Sequence, residues 1–537
     1  MPEPSIESLI AALRDSACYP HPAEGVEVLE THASYVLLAG AYAYKIKKPV
    51  NLGFLDFSTL EARRFFCEEE LRLNRRTAPQ LYLDVVAIAD GEGAPVVGGG
   101  GAAIEYAVRM RRFPQEALLD RLARRGALLP RYLDVLARSL AVFHGGVARV
   151  PADAGFGAPA RVLAQAMQNF DQMLGMVEDA SDAARLHGLR EWTGRVHSLL
   201  GGAFEARKRG GFVRECHGDL HLGNIVLIDD APTPFDGIEF NAEFRWIDVA
   251  SEIAFLVMDL LDHALPAAAF RFLNGYLEAS GDYAGLCVFR FYLVYRALVR
   301  AKVSCIRAHQ AHIVGADKDR AMSEYRDHLC LAERLAAPSR AALVLMHGLS
   351  GSGKTEIAQR LLESLGAIRL RSDVERKRLH GLDAGTRTES GLESGIYAPS
   401  TTARTYARLA ELARELLAAG YAVIVDAAFL RRGQRGAFAA LASEWTLPMA
   451  IVSCRASEAE IRVRLARRER AGEDASEAGT AVLDRQLEIQ EPLGEDEIAR
   501  AVPIDSEAGE KAYRDAVASL LRLLGLEAAK RKIGNHV

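Results

Sequence analysis

Two stretches of this chain hold residues whose types and spacing are suited to chemistry. The first is His217-Gly218-Asp219-Leu220-His221-Leu222-Gly223-Asn224, followed by the apolar run 225–228 and then by Asp236 in Pro234-Phe235-Asp236-Gly237. Moving a phosphoryl group to a hydroxyl requires a carboxylate that orients the hydroxyl or accepts its proton, and oxygen ligands that hold magnesium against the phosphates. Asp219 suits the first role, and Asn224 with Asp236 suits the second. The second stretch is Gly348-Leu349-Ser350-Gly351-Ser352-Gly353-Lys354-Thr355, which fits G-x-x-x-x-G-K-[ST]. Its glycines let backbone N–H groups, with those of Ser350 and Ser352, turn toward phosphate oxygens. Lys354 can then reach the outer phosphates of ATP, and the Thr355 hydroxyl can ligate Mg2+.

Such loops work only where regular elements hold them. The apolar run 342–346 precedes the glycine loop and a helix-patterned segment, 356–365, follows it, giving strand, loop and helix in the required order. Further strand patterns at 367–370, 422–425, 449–453 and 502–504 alternate with helices. This alternation predicts an α/β P-loop domain with a parallel sheet covered by helices, and ligands at the carboxyl ends of the strands. Asp373 lies just past the second strand, where a carboxylate can position an acceptor, and Asp426 ends the third. Arg376 stands one helical turn beyond Asp373 and can bind an anionic substrate. The plain alternative for Asp373 is a helix N-cap.

The first part of the chain has a different texture. Residues 26–47 read as a β-hairpin broken at Gly40, 59–76 as a helix, and 81–89 and 103–112 as strands separated by a glycine-rich turn. Beyond Pro114 the pattern becomes helical, with segments at 116–125, 130–144, 162–176, 182–208, 246–261 and 287–307. The expected organisation is therefore a first domain over 1–338, with a small lobe at about 26–113 and a helical lobe at about 114–335. A P-loop domain over 341–525 and a frayed tail over 526–537 complete the chain.

Composition bounds the function class. A chain of 537 residues exceeds one ordinary core. Its 50% hydrophobic and 26% charged residues describe a packed protein and not a disordered one. A formal net charge of −5 supplies no global attraction to nucleic acid or membrane, and no apolar run reaches membrane-spanning length. The seven cysteines lack C-x-x-C pairing, so neither a zinc site nor a disulfide framework is expected. The N-terminal residues carry Glu3, Glu7 and Asp15, unlike a secretory signal, and the expected compartment is the cytoplasm.

The pattern H-G-D-x-x-x-x-N, followed after a hairpin by Asp236, resembles the aminoglycoside phosphotransferase and choline kinase group, whose α+β fold is the bilobal protein-kinase fold. The resemblance covers about 26–335. It implies that Lys45 contacts nucleotide phosphates and that Glu69 or Glu70 is its helix partner. It further implies that Asp219 is the catalytic base, that Asn224 and Asp236 bind magnesium, and that His217 braces the catalytic loop. His144 matches a helix-end histidine often seen in that group, with a structural role. The loop before Lys45 contains Gly40 but no G-x-G-x-x-G. The bland reading of Lys45, beside Lys47 and Lys48, is a solvated strand end.

The second domain resembles small P-loop kinases, such as polynucleotide kinase, gluconate kinase and antibiotic-phosphorylating kinases. The likeness rests on 348–355, Ser372-Asp373 with Arg376, and Val425-Asp426-Ala427-Ala428-Phe429 with Arg435. It implies that Asp373 is the catalytic base, that Asp426 serves the metal and that Arg435 serves the substrate. Ala427 and Ala428 stand where a hydrolytic motor carries a water-activating glutamate. The arginine-rich helix 461–470, with Arg464, Arg467 and Arg468, resembles a lid over ATP, and its bland reading is a solvated face paired with Glu458, Glu460 and Glu469. The tandem order resembles bacterial bifunctional aminoglycoside phosphotransferase and ATP-binding proteins. The expected activity is transfer from Mg-ATP to small-molecule hydroxyls at two sites. The competing expectations are an ATP sensor with one silent module and a nucleic-acid 5′-hydroxyl kinase, the latter disfavoured by the acidic net charge.

Overall fold

The computed structural model describes residues 5–526 apart from 52, 54, 92–93, 311, 385, 387–394 and 472–479, and only the backbone of 468–471. The chain forms two compact units, Met1–His263 with Phe291–Leu335, and Ala264–Arg290 with Ala336–Val537.

In the first unit, strands β1 (Glu27–Glu30), β2 (Ser34–Ala39), β3 (Tyr42–Lys47), β4 (Tyr82–Asp90), β5 (Pro95–Val97) and β6 (Ala103–Arg111) form one antiparallel sheet. Their order is β1-β2-β3-β6-β4-β5. The glycine-rich stretch expected to be only a turn contains β5. Along β3 the two-residue period sends Tyr44 and Ile46 into a core with Leu9 and Ile10 of the N-terminal helix Ile6–Ala12 and with Leu13, which caps it, and leaves Lys45 and Lys47 on the opposite face. The helix Leu60–Asn74 starts at Thr59, whose hydroxyl accepts the Ala62 N–H, and its buried residues Arg63, Cys67, Glu70 and Asn74 recur at helical spacing.

The remainder of this unit is mainly helical, with two short β-ribbons. Strand β7 (Val213–Glu215) pairs with β10 (Trp246–Asp248), and β8 (Ile225–Ile228) pairs with β9 (Ala231–Pro234). Asp229 and Asp230 turn the second ribbon with φ of 48° and 64°, the pair of left-handed residues that a tight hairpin demands. This ribbon carries the chain from Asn224 back to Asp236.

In the second unit, β11 (Ala342–His347), β12 (Ile368–Arg371), β13 (Ala422–Asp426), β14 (Met449–Arg455) and β15 (Ala501–Asp505) form a parallel sheet of order β12-β13-β11-β14-β15. Parallel strands covered on both faces read as continuous apolar runs, and β11 is buried from Ala342 to Met346. The fold is therefore an α+β unit, with an antiparallel sheet followed by helices, and an α/β unit whose parallel sheet carries the phosphate loop. The segment Ala264–Arg290 falls within the expected first domain, yet it packs with the second unit. Of the expected tail, 527–537 lies outside the described residues. Among the described residues no helix is long and apolar enough to cross a membrane.

Candidate active sites

In the first unit, the Lys45 ammonium lies 2.8 Å from Glu70 Oε1 and 2.5 Å from Asp236 Oδ1. Lys47, with no exposed side-chain surface, donates to Glu70 Oε2 at 2.7 Å and to Glu239. The helix glutamate facing the strand lysine is thus Glu70. Glu69, one residue and about 100° around the helix, is turned to Arg72 and Arg245 instead, so its expected nucleotide-site role is corrected. Burial would push the Lys45 ammonium down, but Asp236 and Glu70 raise it well above its ordinary value. Burial likewise opposes ionisation of Glu70, and the two lysines outweigh it and hold that carboxylate low.

The loop after β7 presents Asp219. Gly218 has φ of 91°, and a Cβ there would lie 2.8 Å from the Phe244 carbonyl oxygen. The N–H groups of His217 and Gly218 donate to the buried Glu252 at 2.6 and 2.9 Å, the Leu222 N–H donates to Asp259, and Arg296 donates to the Gly218 carbonyl. His217 bridges the Asp219 N–H and the Phe235 carbonyl through its two ring nitrogens. His217 is buried, and these two hydrogen bonds tie the loop to the segment that leads into Asp236. Asn224 Nδ2 donates to Asp219 Oδ2 at 3.0 Å, and His221 Nε2 lies 3.4 Å from the same oxygen. Burial opposes ionisation of Asp219, but His221 overrides it and holds the carboxyl well below the usual range. Asp236, at φ 62°, receives the Tyr82 hydroxyl's support at its N–H. The structure therefore brings Lys45, Glu70, Asp219, Asn224 and Asp236 into one site.

Lys47, Glu239, Glu252 and Asp259 support the site from beneath, beyond the residues its motifs name. A legible signal existed for one of them, since Glu252 lies one turn into a mostly apolar helix, Val249–Asp262, where a buried carboxylate needs donors.

In the second unit, the phosphate loop joins β11 to the helix Lys354–Leu365. Gly348, Gly351 and Gly353 have φ of 139°, 83° and 89°, and a Cβ on Gly348 would come within 2.4 Å of the Cys454 carbonyl oxygen. Lys354 Nζ lies 2.7 Å from the Leu349 carbonyl oxygen, and the buried Ser352 hydroxyl has no partner among the described residues. The Ser350 N–H donates to Gln486 at 2.7 Å. Thr355 sits in the first turn of the helix. Asp426 ends β13 in register with Arg371, the last residue of β12, and Asp373 follows in the first turn of the helix Ser372–Arg378, so both acids come at the carboxyl ends of adjacent strands.

The helix Glu458–Ala471 lays Ile461 and Leu465 against Leu349, Leu483 and Leu487. Its Arg464 donates to Glu460 at 2.8 Å and to Ser506 at 2.7 Å, with Nη1 only 3.4 Å from where a Gly353 Cβ would be. The side chain of Arg468 lies outside the described residues. Two expected substrate arginines are placed otherwise. Arg435 is buried and spends its guanidinium on both Glu497 oxygens and on the carbonyls of Phe429, Glu491 and Pro492. It is a structural tie, because a buried guanidinium requires several acceptors. Arg376 is also buried, donating to the Ile396 carbonyl and the Thr402 hydroxyl over the Tyr397 ring.

Residues 343–493 match the family described as AAA domain. An uncharacterized protein of Mycobacterium bovis and one of Mycobacterium tuberculosis are each 31% identical over 482 residues, covering 88% of this chain and 93% of theirs. The chain belongs to their family. Because the aligned length exceeds either compact unit, family membership extends across both. Among solved structures, a gluconokinase from Sinorhizobium meliloti 1021 is 23% identical, covering 36% of this chain and 99% of its own at a TM-score of 0.25. An amicoumacin kinase in complex with AMP-PNP, Ca2+ and Ami is 14% identical, covering 60% of this chain and 93% of its own at a TM-score of 0.39.

Proposed function

We propose that the protein is a phosphotransferase with two kinase sites, each passing the γ-phosphoryl group of ATP to the hydroxyl of a small-molecule acceptor. The observation that carries this reading is the convergence in the first unit. One lysine is held between the helix glutamate and Asp236, while Asn224 is held against Asp219. These are the groups that phosphate binding, metal binding and acceptor positioning require.

The residues fit magnesium. Asn224 spends its amide nitrogen on Asp219, so its oxygen is what it offers a cation, and the Asp236 carboxylate is 41% exposed. In the second unit Thr355 and Asp426 would hold the ion. Magnesium, when bound, neutralises phosphate charge during transfer. Asp219, kept ionised and 38% exposed, orients the acceptor hydroxyl and takes its proton. Lys45 binds phosphate oxygens, with Glu70 fixing its position. In the second unit Lys354 and the loop N–H groups bind phosphates, and Asp373 orients the acceptor. The cytoplasm is the proposed compartment, supported by seven cysteines that are all free thiols.

The test is incubation of the purified chain with γ-labelled ATP and a small-metabolite extract. Label is expected in small hydroxyl compounds. ATP binding at both units with no acceptor ever labelled would overturn the proposal and favour a nucleotide sensor.

A further inference from the structure

Strand β12 is an edge of the parallel sheet, and an edge strand leaves a row of backbone groups to be satisfied. The helix Pro266–Ser280, distant in sequence but part of the same unit, meets that edge. Asn274, almost fully buried, accepts the Arg369 N–H at 2.7 Å and donates to the Ala367 carbonyl oxygen at 2.9 Å. Its amide thus pairs with the strand much as a neighbouring peptide would. One turn further on, Glu278 receives Arg369 Nη2 at 3.1 Å and Arg371 Nη1 at 2.6 Å.

These contacts bear on the short helix Ser372–Arg378, which carries Asp373. Arg371 is its N-cap residue and Arg378 its last. Arg371 is tied to the Glu278 carboxylate, and Arg378 Nη2 donates to the Glu278 backbone oxygen at 2.6 Å while Nη1 pairs with Glu375. Arg378 also crosses Gly281, the left-handed cap that ends the helix Pro266–Ser280, where a Cβ would meet its guanidinium at 2.8 Å. A single residue therefore grips both ends of the element that presents Asp373. Seven residues of helix are too short to hold a fixed orientation by themselves.

We infer that Glu278 is a positioning residue for Asp373, fixing the direction in which that carboxylate meets the acceptor. This rests on the kinase reading of the second unit. Asn274 supports the sheet edge alone, and the two residues separate stability from positioning.

The test uses the full chain with Glu278→Gln and Asn274→Ala, each placed on Asp219→Asn so that turnover reports the second unit. Glu278→Gln is expected to lower kcat for labelled-acceptor formation about tenfold with KM for ATP changed less than about twofold. It is also expected to speed amide exchange over 372–378 while the strand β11 amides keep their protection. Asn274→Ala is expected to lower the thermal midpoint and leave kcat within about twofold. Unchanged kcat and unchanged exchange over 372–378 in Glu278→Gln would overturn the inference, as would equal loss of protection throughout the sheet. If the second unit of the parent chain labels no acceptor, the kinase reading fails there, and selective exchange at 372–378 still decides whether Glu278 holds that helix.

Discussion

Lys45 and Lys47, two residues apart on one strand, grip the two oxygens of the same carboxylate, that of Glu70. Each has a second acid, Asp236 for Lys45 and Glu239 for Lys47. Of the two, Lys45 reaches the site and Lys47 is sealed beneath it. The buried lysine fixes Glu70 from behind, so that Glu70 can fix Lys45 in front.

Removing Glu70 should therefore damage both stability and turnover. Breaking a buried ion pair by deleting one partner costs about 3–5 kcal/mol. Glu70→Ala is expected to lose stability on that scale in urea titrations and to abolish labelling at the first site. Glu69→Gln, at a side chain paired with Arg72 and Arg245, should retain turnover within about threefold. Equal effects of the two substitutions would contradict the assignment.

Arg435 should behave as a structural residue. Arg435→Ala leaves Glu497 buried without its guanidinium and strips donors from three carbonyls, at a cost of about 3–5 kcal/mol. A marked fall in thermal midpoint is expected. At temperatures where the variant is folded, its KM for acceptor should equal that of the parent. A raised KM in a fully stable variant would restore Arg435 to the substrate site.

The pH dependence of stability should carry the mark of His263. Its Nε2 lies 2.9 Å from Asp120 Oδ1, and that hydrogen bond, with Asp259 nearby, raises the imidazole from its ordinary 6.5 to about 9. A raised histidine contributes stability that is complete below pH 6.5 and is lost as pH climbs through about 9. The first unit should thus lose on the order of 2–3 kcal/mol between those limits. Asp120→Asn should flatten the urea-stability profile in that window. An identical slope in the variant would rule out the pair as its source.

The two sites were legible to different degrees for physical reasons. The phosphate loop is written in eight consecutive residues, because its glycines, lysine and threonine are neighbours in sequence and in space. Asp219, Asn224 and Asp236 are separated only by a short ribbon with a tight turn, so their convergence was also readable. The choice between Glu69 and Glu70 depends on the rotational phase of a helix. Arg63, Cys67 and Asn74 share the phase of Glu70, and that pattern was available in the sequence. Arg435 could not be placed, because most of its acceptors, Glu491, Pro492 and Glu497, are joined to it only by folding. The same holds for Asn274 and Glu278, which local patterning assigns to the helical lobe before them.

The most direct measurement compares γ-label transfer from ATP to an extract by the parent chain, Asp219→Asn, Asp373→Asn and the double variant. Two independent kinase sites predict that each single substitution removes a different set of labelled products and that the double variant labels none. If both single variants give the parent's full set of products, or if one of them alone removes every product, the chain does not contain two phosphotransfer sites.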